Sequence, residues 1–189
     1  DACKRGMDAL ETLSDYVPAD PGYESQIVAF ADGAAPFAVN GPWELANLQS
    51  EIDNLGVAPL PAVDGNNPRS YSGIQTIYFS AMLDDADQST VDAITRFAEW
   101  YTTNEEVVET NAEEQGYIPV LSSVIEGGDF PAEVEAFAQQ VDRGVPTPTH
   151  PDMNSVWTPL TEALTRVFNG DQESGPALDQ AASEIRENL

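Results

Sequence analysis

The stretch from Phe30 to Pro61 constrains the fold most, because it combines a helix end, an apolar run and a helix start. Gly33 is expected to close an amphipathic helix in the left-handed conformation that glycine adopts most easily. The compact apolar run 35–39 predicts a short buried strand. The turn Asn40-Gly41-Pro42 then predicts a new helix with proline in its first turn, where a missing N–H costs nothing. Trp43 is therefore expected at a strand-to-helix mouth, a common position for ligand-facing side chains in open α/β sheets.

Periodicity and capping residues predict a helix-rich α/β chain. Helices are expected at residues 2–16, 23–32, 42–53, 88–103, 104–114, 131–143, 153–169 and 174–187. Strands are expected at 35–39, 56–60 and 73–80. Asp87 to Ser89 and Asp152 are the expected N-caps, and Gly116, Gly144 and Gly170 the expected stops.

Charge is the second strong signal. The chain has 33 acidic residues against seven basic ones, a formal net charge of −26, and the acids occur in every segment. Nucleic acid is excluded as a partner, because no basic patch could neutralise phosphates. Repulsion among this many acidic side chains destabilises the folded state unless salt screens it. The charge therefore indicates a protein that works in molar salt, where the Debye length falls to about 3 Å. The alternative is an ordinary acidic protein.

Catalytic and metal-binding signatures are absent from the sequence. His150 and Cys3 are the single histidine and cysteine, so a multi-histidine metal site, a structural zinc site and an internal disulfide are excluded. Nucleophile-elbow, zinc-protease, phosphate-loop and dinucleotide motifs do not occur. We expect a non-enzyme with no cofactor and no metal. Cys3 is expected to be a buried or half-exposed helix residue, and not a lipid-attachment site.

Several motifs resemble one family when taken in order: FADGAAPFAVNGPWE at 30–44, GVAPLP at 56–61, YSGI at 71–74, GYIPVLSS at 116–123 and PTHPDMNSVWTPLTEAL at 148–164. They resemble the extracellular solute-binding proteins of ABC sugar importers, of the maltose and maltodextrin type. The resemblance implies the helix-rich carboxyl-terminal portion of a two-lobed periplasmic-binding-protein type II fold, without its beginning. It also implies that 1–69 belongs to the carboxyl-terminal lobe, that 70–118 returns to the amino-terminal lobe, and that 119–189 comes back.

The resemblance carries over a set of sugar-binding residues. A pyranose ring needs a flat apolar platform with polar groups at its rim, and Trp43 and Trp157 match tryptophans that stack on sugar in the family. Rim and lining candidates are Asn40, Glu44, Tyr71, Gly73 and Met153. The structural alternatives are core packing for the tryptophans and a helix-dipole role for Glu44. Arg166 is expected to pair with Glu162 on the surface.

The function implied by the resemblance is carbohydrate capture for an ABC importer. Its partners are a small-molecule carbohydrate and the permease subunits, and its place is extracellular or at the cell surface, with the export signal expected upstream. The alternatives are a non-transporting remnant or interaction module, and a glycoside hydrolase fragment, since aromatic platforms with carboxylates also describe that class. The apolar face of residues 88–103, with Val91, Ile94, Phe97 and Trp100, predicts self-association of the chain alone.

Overall fold

Helices make up most of the chain in the computed structural model, which describes residues 2–17 and 22–189. The α-helices are α1 (Ala2–Ser14), α2 (Tyr23–Ala31), α3 (Leu45–Glu51), α4 (Gln88–Thr103), α5 (Glu105–Gln115), α6 (Ser122–Gly127), α7 (Ala132–Asp142), α8 (Asn154–Phe168) and α9 (Ser174–Glu187). Shorter 3-10 turns cover Pro42–Glu44, Ala81–Asp85 and Pro151–Met153. The strands β1 (Tyr71–Ser72) and β2 (Val145–Pro146) pair in parallel.

The chain divides into two units. The first combines the described residues up to Ala29 with Thr147–Leu189. The second is Phe30–Pro146. The expected division into lobes at 1–69, 70–118 and 119–189 concerns the longer proteins of the resembled family, and it stays a prediction.

A three-helix core of α1, α8 and α9 stabilises the first unit. Its buried members are Met7, Ala163, Val167, Ala177 and Ala181. The alanines allow close approach of the helix backbones, while full burial of Met7 and Val167 contributes about 1.5–3 kcal/mol each. Gly170 adopts a positive φ of 73° and ends α8 as expected. Ser174, the one polar residue buried in the described part of the chain, donates its hydroxyl to Glu11 Oε2 at 3.3 Å.

The second unit packs α3, α5 and α6 together, with α4 against α5. Its buried apolar residues are Leu45, Leu48, Ala112, Val124, Val134 and Ala136. Asp87 caps α4 by accepting a hydrogen bond from the Thr90 N–H at 3.1 Å, and Asn104 caps α5 through the Val107 N–H at 3.1 Å. These caps satisfy amide groups that the first turn of each helix leaves unpaired.

Two polar side chains hold the loops of the second unit in place by hydrogen bonds to their backbone. Gln140 of α7 accepts from the Leu60 N–H at 3.1 Å and donates to the Pro68 carbonyl at 3.2 Å. Arg69 donates to the carbonyls of Arg143 and Gly144 at 2.9 and 3.1 Å. The β1–β2 pair therefore lies beside an arginine that holds the same two chain segments together.

The predicted helices are confirmed within a few residues, with the segment 42–53 divided into a 3-10 turn and α3. Helix α6 was not predicted. The predicted strands at 35–39, 56–60 and 73–80 are wrong for this chain, since these residues lie in no strand. A strand needs a hydrogen-bonded neighbour, and among the described residues the one parallel pairing joins Tyr71 and Ser72 to Val145 and Pro146.

Two smaller expectations are also wrong. Asp152 does not cap α8, because it lies inside the turn Pro151–Met153 and the cap position falls on Met153. His150 caps that turn instead, with Nδ1 accepting from the Asp152 N–H at 3.3 Å. Cys3 is exposed although it lies one helical turn before buried Met7 on the same side of α1, because burial along this helix begins only at Met7. Along residues 2–17 and 22–189, no helix has the length and apolar character needed to cross a membrane.

Candidate functional site

The turn around Trp43 is built by its own backbone. Asn40 Oδ1 accepts from the Gly41 N–H at 2.8 Å, and the Gly41 carbonyl accepts from the Glu44 N–H at 3.3 Å. Pro42 occupies the start of the turn, as expected. A Cβ at position 41 would overlap the six-membered ring of Trp43, so the indole lies directly over the Gly41 backbone. The indole orientation thus depends on glycine at 41.

Trp43 is 63% exposed. A tryptophan that only filled the core of this unit would be buried, so the core-packing alternative does not describe Trp43. An exposed indole held over a glycine offers a flat apolar face whose orientation is fixed. Its role in sugar binding stays a prediction.

Glu44 is half-buried and ends the 3-10 turn immediately before α3. Its Oε2 accepts from Asn47 Nδ2 at 3.2 Å. The carboxylate also lies at a helix start, where negative charge is favourable. Both contacts orient the carboxylate next to Trp43, and they are compatible with the dipole role as well as with a polar rim.

Gly116 supports this turn from the end of α5. It has a positive φ of 72°, as expected of a helix stop, and it is buried. A Cβ there would come within 2.8 Å of Leu45 Cδ2 and 3.0 Å of the Pro42 carbonyl oxygen. Gly116 therefore lets α5 end against the Trp43 turn. The sequence marked it only as a stop, and its contact with residues far away in the chain has no local signal.

Tyr71 and Gly73 lie at and just after β1. Tyr71 is exposed and pairs with Val145. The close approach occurs at Gly144, where a Cβ would overlap Ser72 Oγ. A Cβ at Gly73 would meet no atom within 4 Å. Packing in this unit therefore requires glycine at 144 and not at 73.

Met153 and Trp157 lie one helical turn apart in the first unit, at the start of α8, and both are half-buried. Farther along α8, Arg166 Nη1 pairs with Glu162 Oε2 at 3.5 Å, which confirms the predicted surface pair. The structure thus gathers Asn40, Trp43 and Glu44 in one turn and places Met153 with Trp157 elsewhere. That the two groups contact one sugar stays a prediction.

The perturbed carboxyl groups lie outside this set of residues. The hydrogen bond from the Lys4 ammonium lowers the pKa of Asp8. Hydrogen bonds from Ser89 and Thr90 lower the pKa of Asp87 at the start of α4. Within the described ranges, no cluster of three or more histidine, cysteine or acidic residues has the arrangement of a metal site.

Known proteins resemble this chain along most of its length. A profile described as bacterial extracellular solute-binding protein matches residues 4–167. A maltotriose-binding protein of Pyrococcus abyssi is 32% identical over 188 residues, which are 95% of this chain and 40% of that protein. A galactooligosaccharide-binding protein of Bacillus subtilis is 30% identical over 159 residues, 81% of this chain and 36% of that protein. The chain spans less than half the length of these relatives.

Solved structures agree with the sequence matches. The maltotriose-binding protein of Thermus thermophilus, bound with maltotriose, superimposes with a TM-score of 0.81 at 26% identity. The match covers 96% of this chain and 49% of that one. This similarity confirms the predicted helix-rich fold class.

Proposed function

Because the chain belongs to the bacterial extracellular solute-binding proteins, we propose that it is part of the carbohydrate-binding component of an ABC transporter. The 32% identity to a maltotriose-binding protein over 95% of the chain is the observation that carries this proposal. Family membership favours a binding protein over an enzyme. A linear glucose oligosaccharide is the proposed ligand class, and the permease subunits are the proposed partners of the full-length parent.

The proposed contact chemistry divides between platform and rim. The indole of Trp43 stacks on the C–H face of one sugar ring, and Glu44 and Asn40 accept hydroxyl hydrogen bonds at its edge. Trp157 supplies a second platform with Met153 against it, and Tyr71 and Gly73 border the ligand. Exposure of Trp43 and its fixed orientation over Gly41 support the first of these roles.

Calorimetric titration with maltotriose in molar KCl tests the function. Heat without product formation supports capture. Release of glucose or maltose would instead identify a glycoside hydrolase, and silence would identify a remnant without transport role.

Tryptophan variants test the assigned residues in the same titration. Trp43→Ala and Trp157→Ala should each weaken binding by about tenfold or more, since a lost stacking contact of about 1.4 kcal/mol is a factor of ten. Trp100→Ala is the matched control, because this indole packs against Phe97 on α4, with ring centroids 6.1 Å apart. Equal affinity of Trp43→Ala and the control would remove Trp43 from the site.

Charge and location complete the proposal. The net charge of −26 supports a protein adapted to molar salt, and no acidic residue in the described part of the chain is buried. Family membership supports an extracellular or cell-surface parent. Self-association of this chain through residues 88–103 stays a prediction.

A remnant or interaction module is the second candidate. The observation that favours it is the set of large apolar side chains that the second unit leaves exposed, among them Phe37, Ile74, Tyr78 and Met82. A chain that acted alone would have to keep these side chains in water.

A further inference from the structure

Two asparagines of this chain precede a glycine, Asn40 before Gly41 and Asn169 before Gly170. In such a pair the backbone nitrogen of the glycine can attack the side-chain amide carbon of the asparagine, since glycine has no Cβ to hinder the approach. As in any intramolecular reaction, the rate depends on whether the fold holds the two groups together. The two pairs differ in backbone conformation, so they can be compared within one molecule.

The fold holds the reacting groups together at Asn40. The Gly41 N–H donates to Oδ1 of the Asn40 side chain at 2.8 Å, and Oδ1 is bonded to Cγ, the carbon that the nitrogen attacks. Asn40 lies in neither a helix nor a strand. The turn that follows uses the Gly41 carbonyl, which accepts from the Glu44 N–H at 3.3 Å. The Gly41 nitrogen can therefore react without opening this turn.

The opposite holds at Asn169, which ends α8. Its backbone is helical, with φ −79° and ψ −4°, so the Gly170 nitrogen lies alongside the Asn169 backbone nitrogen and not alongside its side chain. The Gly170 N–H donates to the Val167 carbonyl at 3.0 Å. Attack on the Asn169 side chain would first have to break this hydrogen bond and rotate the end of the helix. The fold therefore protects this pair.

We propose that Asn40 is a site of covalent modification, a deamidation that the folded chain promotes. Base removes the proton from the Gly41 nitrogen, this nitrogen bonds to Cγ of Asn40, and the Cγ–Nδ2 bond breaks, so that Nδ2 leaves as ammonia with a proton from water. The five-membered imide then takes up one water molecule at either of its carbonyls. Opening at one carbonyl gives aspartate, and opening at the other gives isoaspartate, whose main chain runs through Cγ.

Either product changes the Trp43 turn. Aspartate adds a negative charge to the turn that holds Glu44, in a chain of charge −26. Isoaspartate lengthens the main chain by one carbon and uses Cγ for the peptide bond, so Oδ1 no longer accepts from the Gly41 N–H. Because the indole of Trp43 lies directly over the Gly41 backbone, isoaspartate releases it from its fixed orientation. The proposal goes beyond carbohydrate capture and does not depend on it, since no sugar enters its test.

Incubation of the chain in molar KCl at pH 8, followed by peptide mapping, tests the proposal. Each peptide is scored for the mass gained when an amide becomes a carboxyl, and for isoaspartate by enzymatic methyl labelling. We expect Asn40 to react at least about tenfold faster than Asn169. The rate at Asn40 should rise between pH 7 and pH 9, because the Gly41 nitrogen must lose its proton before it attacks. Equal rates at the two asparagines, or a faster Asn169, would overturn the proposal.

The unfolded chain is the control for the role of the fold. In concentrated urea neither pair is held in place, so Asn40 and Asn169 should react at similar rates. If Asn40 kept its lead in urea, the preference would come from the neighbouring residues in the sequence, and the role assigned to the fold would be wrong.

Fluorine NMR of the chain labelled with fluorotryptophan follows the effect on the turn. The Trp43 resonance, assigned with Trp43→Phe, should shift in proportion to the isoaspartate formed. Trp100 of the same unit and Trp157 of the first unit should keep their resonances. Asn40→Gln, whose longer side chain does not close a five-membered ring, should keep the Trp43 resonance constant during the same incubation. An unchanged Trp43 resonance after complete conversion of the wild type would contradict the effect on the turn.

Discussion

At the scale of single residues, one glycine determines how the Trp43 turn is supported. Glycine is needed at 116 for two reasons, a left-handed backbone conformation and a close approach to Leu45. Substitutions can measure the cost of each separately. A side chain in the left-handed region costs about 1–2 kcal/mol. Overlap in a packed interior adds typically about 1–3 kcal/mol.

Gly116→Ala should therefore lower the free energy of unfolding of the second unit by roughly 2–5 kcal/mol, the sum of these two costs. Chemical denaturation followed by tryptophan fluorescence is the measurement, with Trp43 and Trp100 contributing from the second unit and Trp157 from the first. Gly65→Ala is the control, because Gly65 also has a positive φ, 76°, but no atom lies within 4 Å of its would-be Cβ. The control should lose only about 1–2 kcal/mol. Equal losses would show that the contact with Leu45 contributes nothing.

The sequence predicted the Trp43 turn but not its support. Asn40, Gly41 and Pro42 act on their immediate neighbours, so a pattern of adjacent residues is enough to predict them. The contact between Gly116 and Leu45 joins residues on different helices. Nothing near either residue in the chain indicates the other.

At the scale of helices and strands, the start of α4 depends on a carboxylate. Hydrogen bonds from Ser89 and Thr90 lower the pKa of Asp87. A group whose pKa is lowered by folding stabilises the protein above its unfolded value of about 3.9, and this contribution is lost as pH falls through the folded value. The first turn of α4 should therefore loosen below about pH 4.

Amide exchange of Thr90 and Val91 between pH 3 and pH 6 measures this loosening. Asp87→Asn keeps an oxygen that can cap the helix but removes the carboxyl group that titrates. Amide exchange in this variant should therefore not accelerate as the pH falls from 6 to 3 in the way that it does in the wild type. Asp53→Asn removes the same charge away from α4 and should keep the wild-type profile. A wild-type profile in Asp87→Asn would contradict the capping role.

The apolar face of α4 gives a prediction about association. Phe97 lies exposed between Trp100 and Tyr101, with ring centroids 6.1 and 6.0 Å away. Sedimentation in molar salt should detect a dimer or larger species, and Phe97→Glu should shift it to monomer. Thr102→Glu adds the same charge to the helix and is the control. A strictly monomeric wild-type chain in high salt would disprove association through this face.

Helices were predicted well and strands were not, for one physical reason. Asp87, Asn104 and Gly116 mark helix ends through contacts within a few residues. Such ends can be predicted from the neighbouring residues in the sequence. The segments 56–60 and 73–80 have the composition of strands, yet strand formation requires a neighbour that the pattern cannot supply. Helix α6, only six residues long, has too few turns to produce a recognisable period.

At the scale of the whole molecule, net charge governs stability. The ion pairs Lys4–Asp8 and Arg166–Glu162 lie at the surface, and 33 acidic residues stand against seven basic ones, so unpaired carboxylates dominate the surface. Salt weakens their mutual repulsion, and the screening length falls from about 10 Å at 0.1 M to about 3 Å at 1 M.

The melting temperature should accordingly rise by at least about 5 °C between 0.1 and 2 M KCl, since 1 kcal/mol corresponds to roughly 2–4 °C for a chain of this size. Differential scanning calorimetry at several KCl concentrations is the measurement. A variant with several exposed glutamates changed to glutamine should respond less to salt. Highest stability in dilute buffer would contradict adaptation to molar salt.

The arginine beside β1 and β2 has a consequence for the order of folding. Arg69 donates to a carbonyl 74 positions away along the chain, and closing a loop of that length costs about 4 kcal/mol of chain entropy. Helices such as α5 and α7 close only local contacts, so they form before this crossing does. Arg69→Ala should then accelerate unfolding and leave the refolding rate nearly unchanged. The Arg69 contacts form after the folding transition state, so losing them changes only the unfolding rate.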